Sequence, residues 1–333
     1  MKEVTKNEFE QEIYKTLVRL KENSEWRERY AGYAKEISRN KPLIEIVRHT
    51  FREWSPLKFY LTVTEIKKAK HSVIFNLRYL GQSVANLAGN IDKGLELSTK
   101  GYEKTNMDHF DCDICLSAAN WRGEDAKKFR RFFKNRKSPR SADAKRGNEE
   151  HRLESLLLTE FSKTKNKALR YIKPVTICGV RFSMPTPIRA SNHEDPEYSG
   201  IPSGHIDILA RTGTGGKATH LCIMELKDEN TKGEPPKDAM KQALAYTTFV
   251  RELLRSNSGM AWWKLFGFRG EVPEPLELYA TCVMPSNDNN DYSFGNMELN
   301  IERDIIKLHY IYFTDEDGKI KIKPGDATIG VVE

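Results

Sequence analysis

Two short apolar segments in the C-terminal half each carry an acid where a buried strand has no ordinary use for one, and nothing else constrains this chain as tightly. GHIDILAR (204–211) contains Asp207, and HLCIMELK (220–227) contains Glu225 and ends in Lys227. Side chains alternate along a strand, so His205, Asp207 and Leu209 face one way, while Ile206 and Ile208 face the other. In the second segment Ile223, Glu225 and Lys227 share a face, opposite Cys222, Met224 and Leu226. A carboxylate and an ammonium therefore project side by side from the end of a buried strand. Burying unpaired charge is costly, so such a strand needs partners or a metal ion.

The surroundings make these two segments neighbours. TGTGGKAT lies between them and has the glycines of a hairpin turn. It is not a phosphate loop, whose spacing needs Gly at 211 and Ser or Thr at 218, where Arg211 and Ala218 stand. A helix, EEHRLESLLLTEF, and a strand, VTICGVRFSM, precede the pair. A helix, DAMKQALAYTTFVRELLR, and a strand, LELYATCVM, follow it, and KLHYIYFT with GKIKIK forms a closing hairpin. Strands of one sheet flanked by helices predict an α/β sandwich within an α+β chain. With the acid strands adjacent, Asp207 and Glu225 can hold one hard cation through oxygen. Mg²⁺ suits one or two carboxylates plus water and phosphate, and Mn²⁺ substitutes for it. Lys227 then stands beside a metal-bound water, placed to orient it and to stabilise charge developing on phosphorus.

Asp207, the triplet Glu225-Leu226-Lys227 and a preceding helix with glutamates resemble the PD-(D/E)XK nuclease superfamily, whose signature is an acid, a variable loop and then acid-x-Lys. Gln242 and Tyr246, spaced i, i+4 on one helix face, resemble the Q-x-x-x-Y element of RecB-like members. The residue before the Asp is Ile206 rather than the eponymous Pro. The resemblance covers roughly residues 145–285. It implies a restriction-endonuclease-like mixed sheet flanked by helices and a Mg²⁺-dependent nuclease that hydrolyses DNA phosphodiester bonds, with RNA left open as substrate. It also implies metal ligation by Asp207 and Glu225, a water-handling Lys227, and contacts to the site or the DNA backbone from Gln242 and Tyr246. The family places a metal-facing Glu on its first helix. Glu150 is preferred here, since it precedes Leu153 and Leu157 on the apolar stripe, and Glu154 is its rival. Architecture alone relates such a domain beside a recognition module to restriction or phage defence. Paired cuts in this class leave room for a homodimer. The alternative is a non-cleaving nucleic-acid-binding protein that uses the nuclease-like fold as a scaffold.

The N-terminal part reads differently. Phe9, Ile13, Leu17 and Leu20 recur at helical spacing, further helical runs follow to about residue 55, and Pro42 suits a first helical turn. KFYLTVTEI and HSVIFNLRYL alternate as strands, with LELSTKGY after them, so a small antiparallel sheet or partly open barrel is expected over 57–105. Glu124–Lys137 is a helix with an acidic start and a basic end. SPRSADAKRGN then breaks all periodicity, which divides the chain into 1–140, a helical and β recognition domain, and 141–333, the nuclease domain.

Charge is concentrated at that junction. The 333 residues include 54 Lys+Arg and 47 Asp+Glu, a net +7. Between Trp121 and Gly147 eleven basic residues face only Glu124, Asp125 and Asp143, a balance of +8, so the remainder sums to −1. Arg130, Arg131, Lys134, Arg136 and Lys137 are the expected nucleic-acid contacts. No segment approaches 18 consecutive apolar residues, so no membrane partner is expected. Five scattered cysteines and a polar N-terminus fit a reducing, cytoplasmic setting. Cys112 and Cys115, with His109 nearby, fall short of four zinc ligands.

Overall fold

The structure is a computed structural model that describes residues 2–63, 73–92, 94–102, 110, 112–136, 146–162, 172–191, 194–200, 204–213 and 218–322. Lys137, residues 138–145 of the linker expected over 138–148, His109 and the glycine turn at 214–217 lie outside these residues, and the last three linker residues, 146–148, are already helical. In chain order the elements are α1 (Lys2–Glu22), α2 (Trp26–Arg39), α3 (Lys41–Thr50), β1 (Lys58–Thr62), β2 (Val73–Tyr79), β3 (Gln82–Asn90), β4 (Gly94–Ser98), β5 (Cys115–Ser117), α4 (Glu124–Asn135) and α5 (Arg146–Phe161). Short strands follow: β6 (Ile172–Pro174), β7 (Thr176–Ile177), β8 (Val180–Phe182), β9 (Met184–Thr186), β10 (Ile188–Ser191), β11 (Glu194–Tyr198) and β12 (Gly204–Ile206). The chain closes with β13 (Ile208–Thr212), β14 (His220–Leu226), α6 (Pro236–Arg255), α7 (Gly259–Leu265), β15 (Glu277–Pro285), β16 (Glu298–Ile301), β17 (Asp304–Glu316) and β18 (Lys319–Ile322). The protein is thus mixed α and β with mixed sheets, and none of its described helices is long and apolar enough to cross a membrane.

Two compact units form, and they do not follow a single cut at residue 140. The first comprises Met1–Ala31, Leu156–Val175 and Met184–Glu333, and the second Gly32–Ser155 and Thr176–Ser183. The first helix leaves the N-terminal part for a physical reason. Phe9 and Ile13 bury against Ala239, Met240, Ala243 and Leu244 of α6 and against Leu308 and Tyr310 of β17. Each large apolar side chain buried this way contributes roughly 1.5–3 kcal/mol. Aromatic contacts extend the attachment. Trp26 and Tyr30 meet Phe249 edge-on at centroid distances of 5.6 and 5.0 Å. The indole N–H of Trp262 donates to the Tyr30 carbonyl at 3.1 Å, and the Tyr30 hydroxyl donates to the Pro185 carbonyl at 2.6 Å.

The sheet of the first unit runs β16-β17-β15-β14-β13-β6, with β18 also on β17. β13 is antiparallel to both β6 and β14, whereas β14, β15 and β17 run parallel. A parallel neighbour needs a crossover, and α6 supplies it between β14 and β15. Alanines at 239 and 243 allow α6 close to Ala280, Cys282 and Met284 of β15.

In the second unit the order is β5-β4-β3-β2-β1-β8-β7. The antiparallel run expected over 57–105 is present, and alternation in β2 buries Val73, Phe75, Leu77 and Tyr79. Helix α4 buries Ala126, Phe129 and Phe133. Two expectations fail. GHIDILAR is not one strand: the chain bends at Asp207, which splits it into β12, paired with β9, and β13 of the acid sheet. VTICGVRFSM is not a single strand of the acid sheet. Cys178 and Gly179 adopt positive φ of 50° and 79° and turn the chain. The resulting β7–β8 hairpin joins the other sheet, where β8 pairs with β1 in parallel.

Candidate active site

The antiparallel register sets Ile208 opposite Met224 and Leu209 opposite Ile223. Continued by one residue, it sets Asp207 opposite Glu225. Cross-strand partners share a face. On the other side of β14, Ile223 aligns with Ala280 and Glu225 with Cys282, and both of those residues belong to the cluster packed against α6. Asp207, Glu225 and Lys227 therefore lie on the face that α6 covers.

Their local bonds are specific. The Leu226 backbone N–H donates to Asp207 Oδ2 at 2.9 Å, which ties the acid at the foot of β13 to the end of β14. Lys227 Nζ donates to Glu225 Oε1 at 3.0 Å. Glu225 is 5% and Lys227 8% exposed, so this ion pair is largely out of water and correspondingly stronger than a surface pair. The ladder continues through Lys227, whose N–H donates to the Val283 carbonyl at 3.0 Å. Beyond it, buried Asn230 locks the loop after β14 to the loop after β15. It donates to the Pro285 carbonyl at 3.1 Å and to Asn290 Oδ1 at 2.9 Å, and its own carbonyl accepts from Asn287 and Asn289. This brace has no signature in the sequence beyond an Asn-rich loop.

Helix α6 brings Gln242 and Tyr246 to the same face, both buried and one turn apart. Burial pushes the Tyr246 phenol well above its ordinary range, and the nearby Glu225 and Asp207 charges push it further, so it stays protonated. The Ala190 backbone on β10 and the Lys227 charge act the other way, without reversing the shift. Gly204 leaves room beside the phenol. A Cβ at 204 would come within 2.9 Å of the Ile188 carbonyl and the Thr186 hydroxyl, and 3.7 Å of the Tyr246 oxygen. β12 and β9, which carry Gly204 and Thr186, pair antiparallel and fix this support. On the same face, burial and the Glu225 charge drive the Cys282 thiol upward, so it is an inert packing group.

Asp207 and Glu225 are hard oxygen donors on adjacent strands, and that donor chemistry fits a Mg²⁺-type ion completed by water. Among the described residues, no group of three or more His, Cys, Asp or Glu side chains is placed to hold a metal. Glu150 and Glu154 belong to the second unit. Glu154 is buried and held by Arg78 Nη1 at 3.4 Å, with His151 Nδ1 at 3.7 Å, so its carboxylate already has a cationic partner. Glu150 is half-buried one turn earlier on α5. Cys112 and Cys115 are exposed free thiols.

The expected basic helix is present. Arg131 and Lys134 are exposed on α4. Arg130 is half-buried, its guanidinium 5.0 Å from the Trp54 ring centroid, and Arg136 stacks on Phe132 at the same distance. Lys127, Arg130, Arg131 and Lys134 line a cleft of about 450 Å³. No protein-family model, no curated protein and no solved structure matches this chain.

Proposed function

We propose that the protein is a metal-dependent nuclease of the PD-(D/E)XK type, hydrolysing phosphodiester bonds of DNA with Mg²⁺ held by Asp207 and Glu225. One observation carries the proposal. Two acids from adjacent strands and a lysine bonded to one of them meet on a single sheet face, beneath the helix that bears Gln242 and Tyr246. A bound Mg²⁺ supplies positive charge for the phosphoryl oxygens and acidifies a water. Lys227, oriented by Glu225, presents an ammonium to the attacking water and to the charge that builds on phosphorus. Asp207 is held ready by the Leu226 N–H, so its carboxylate needs little reorganisation. Tyr246 remains a protonated donor across the working pH range and, with Gln242, positions the substrate backbone. Arg131 and Lys134 attract the polyanion.

Incubation with plasmid, linear and single-stranded DNA plus Mg²⁺ or Mn²⁺ tests this. Cleavage is expected with at least one substrate, and Asp207→Ala and Lys227→Ala should each lose roughly a hundredfold or more in rate, the scale of losing one preorganised electrostatic group. No cleavage by the wild type, or undiminished cleavage by either variant, would sink the nuclease proposal. The same wild-type result with intact DNA binding would favour the non-cleaving scaffold.

A further inference from the structure

The second unit carries a cationic cleft that the sequence gives no hint of. It has a volume of about 470 Å³, within the ~300–1,000 Å³ range of ligand clefts. The end of α3, the segment entering β1 and the β7–β8 turn form its walls. Arg48, His49, Arg52, Lys58 and Arg181 line it, and no acidic residue among the described residues does. Among the described residues, Arg48, Arg52 and Lys58 have no ion-pair partner. Arg181 is fixed in place, donating to the Tyr60 hydroxyl at 2.8 Å. Gly179 makes room for Arg48, because a Cβ there would stand 2.7 Å from Arg48 Nε. Burial, and to a lesser degree the neighbouring Arg181 charge, hold the Lys58 ammonium below its ordinary range.

Two further features point to the kind of anion. Half-buried Phe59 lines the cleft between the cations, backed by Phe51 at a centroid distance of 4.7 Å. An aromatic ring among cations suits a sugar or base beside its phosphates. Ser55 is common to this cleft and to the one lined by Lys127, Arg130, Arg131 and Lys134, where Glu53 is the lone acid among the described residues. The two clefts thus share a wall and form one track of spaced cations, which matches a repeating polyanion better than a single small one.

We infer that this track, with Arg48, Arg52, Lys58 and Arg181 at its core, binds the phosphate backbone of a nucleic acid. The inference goes beyond the nuclease proposal, because holding the polymer requires neither metal nor cleavage.

Fluorescence anisotropy with the full chain in EDTA, using fluorescein-labelled 25-mer duplex and single-stranded DNA, decides it. Wild type should bind at low salt, with affinity falling steeply as salt rises. The triple variant Arg48→Ala/Arg52→Ala/Lys58→Ala should bind at least tenfold more weakly. Its log–log salt slope on duplex should be shallower by about 2–3, since each lost phosphate contact removes about 0.9. Lys319→Ala/Lys321→Ala, exposed in the first unit, should stay within twofold of wild type. If the triple variant does not melt cooperatively, the exposed single change Arg52→Glu replaces it, with a several-fold loss expected. Asp207→Ala should bind no more weakly than wild type, so failure of this inference and failure of the nuclease proposal are read separately. Absence of wild-type binding, a triple or Arg52→Glu variant within twofold of wild type, or displacement by poly-glutamate as effective as by DNA would overturn it.

Discussion

Two buried charge clusters in the first unit show how differently one fold can house an acid. Asp304, 1% exposed, is clamped. Its Oδ2 accepts from Arg251 Nε at 2.8 Å and Arg255 Nε at 2.9 Å, and its Oδ1 accepts from Arg255 Nη2 and from the Leu276 N–H. Burial alone would raise this carboxyl, but these bonds outweigh it and hold it below its ordinary range. At the end of β14, by contrast, the cation on Glu225 is a lysine, and Asp207 is steadied by a backbone N–H. Arginine keeps its charge and locks carboxylates in a planar fork, whereas lysine is a compact ammonium that exchanges its proton and its partners readily. The first cluster joins α6 to β17 permanently. The second holds its acids with a lysine and one backbone N–H, the looser arrangement that the nuclease proposal needs.

The contrast can be broken by experiment. Asp304→Asn should be the most damaging change, costing about 3–5 kcal/mol in chemical denaturation, because it removes the buried carboxylate charge that Arg251 and Arg255 share. Lys227→Ala should cost less stability while slowing cleavage by roughly a hundredfold or more. If Lys227→Ala destabilised as much as Asp304→Asn, both clusters would be structural. A third buried acid sharpens the comparison. Burial raises the carboxyl of Glu12 on α1 to about 7, against the lowering influence of Lys15 and Lys241. Between its unfolded value of 4.5 and about 7, the folded chain holds a proton that the unfolded chain has released. The stability linked to Glu12 is therefore full below pH 4.5 and is lost as pH rises through about 7. Glu12→Gln should remove this loss, raising stability by roughly 1–3 kcal/mol at pH 8 and little at pH 4.5. The smallest effect is expected at exposed cations, where charge acts without burial. Arg131→Glu/Lys134→Glu should raise the KM for DNA several-fold at low salt, leave kcat unchanged, and lose its effect as salt screens it. An unchanged KM would reduce α4 to a solvated face.

How much of this was legible beforehand depends on how local the signal is. Strand alternation placed Glu225 and Lys227 on one face of β14, whereas Asp207 stands at a bend between β12 and β13 and reaches that face through the β13–β14 register. The i, i+4 pair on α6 and the glycines between the acid strands were equally local. The register that opposes Asp207 to Glu225 needed only the hairpin that those glycines implied. VTICGVRFSM misled because its composition is that of a strand throughout, while two consecutive residues at positive φ, one of them a non-glycine, reverse it. The helical stripe favours Glu150 and leaves Glu154 close to the same face, and only the fold brings Arg78 to Glu154 from 76 positions away.

The sequence by itself therefore determined which residues share the faces of β14 and α6, because alternation and helical period are properties of a few neighbouring residues. Tertiary structure alone decided three other matters. It took α1 into the C-terminal unit, where its Phe9–Ile13 stripe finds an apolar face. It gave the β7–β8 hairpin to the other sheet. And it gathered Arg48, Arg52, Lys58 and Arg181 into one cleft, since cations scattered over 134 positions meet only when β8 closes beside β1. Such closures depend on which distant surfaces bury one another, and no short window of sequence contains that information.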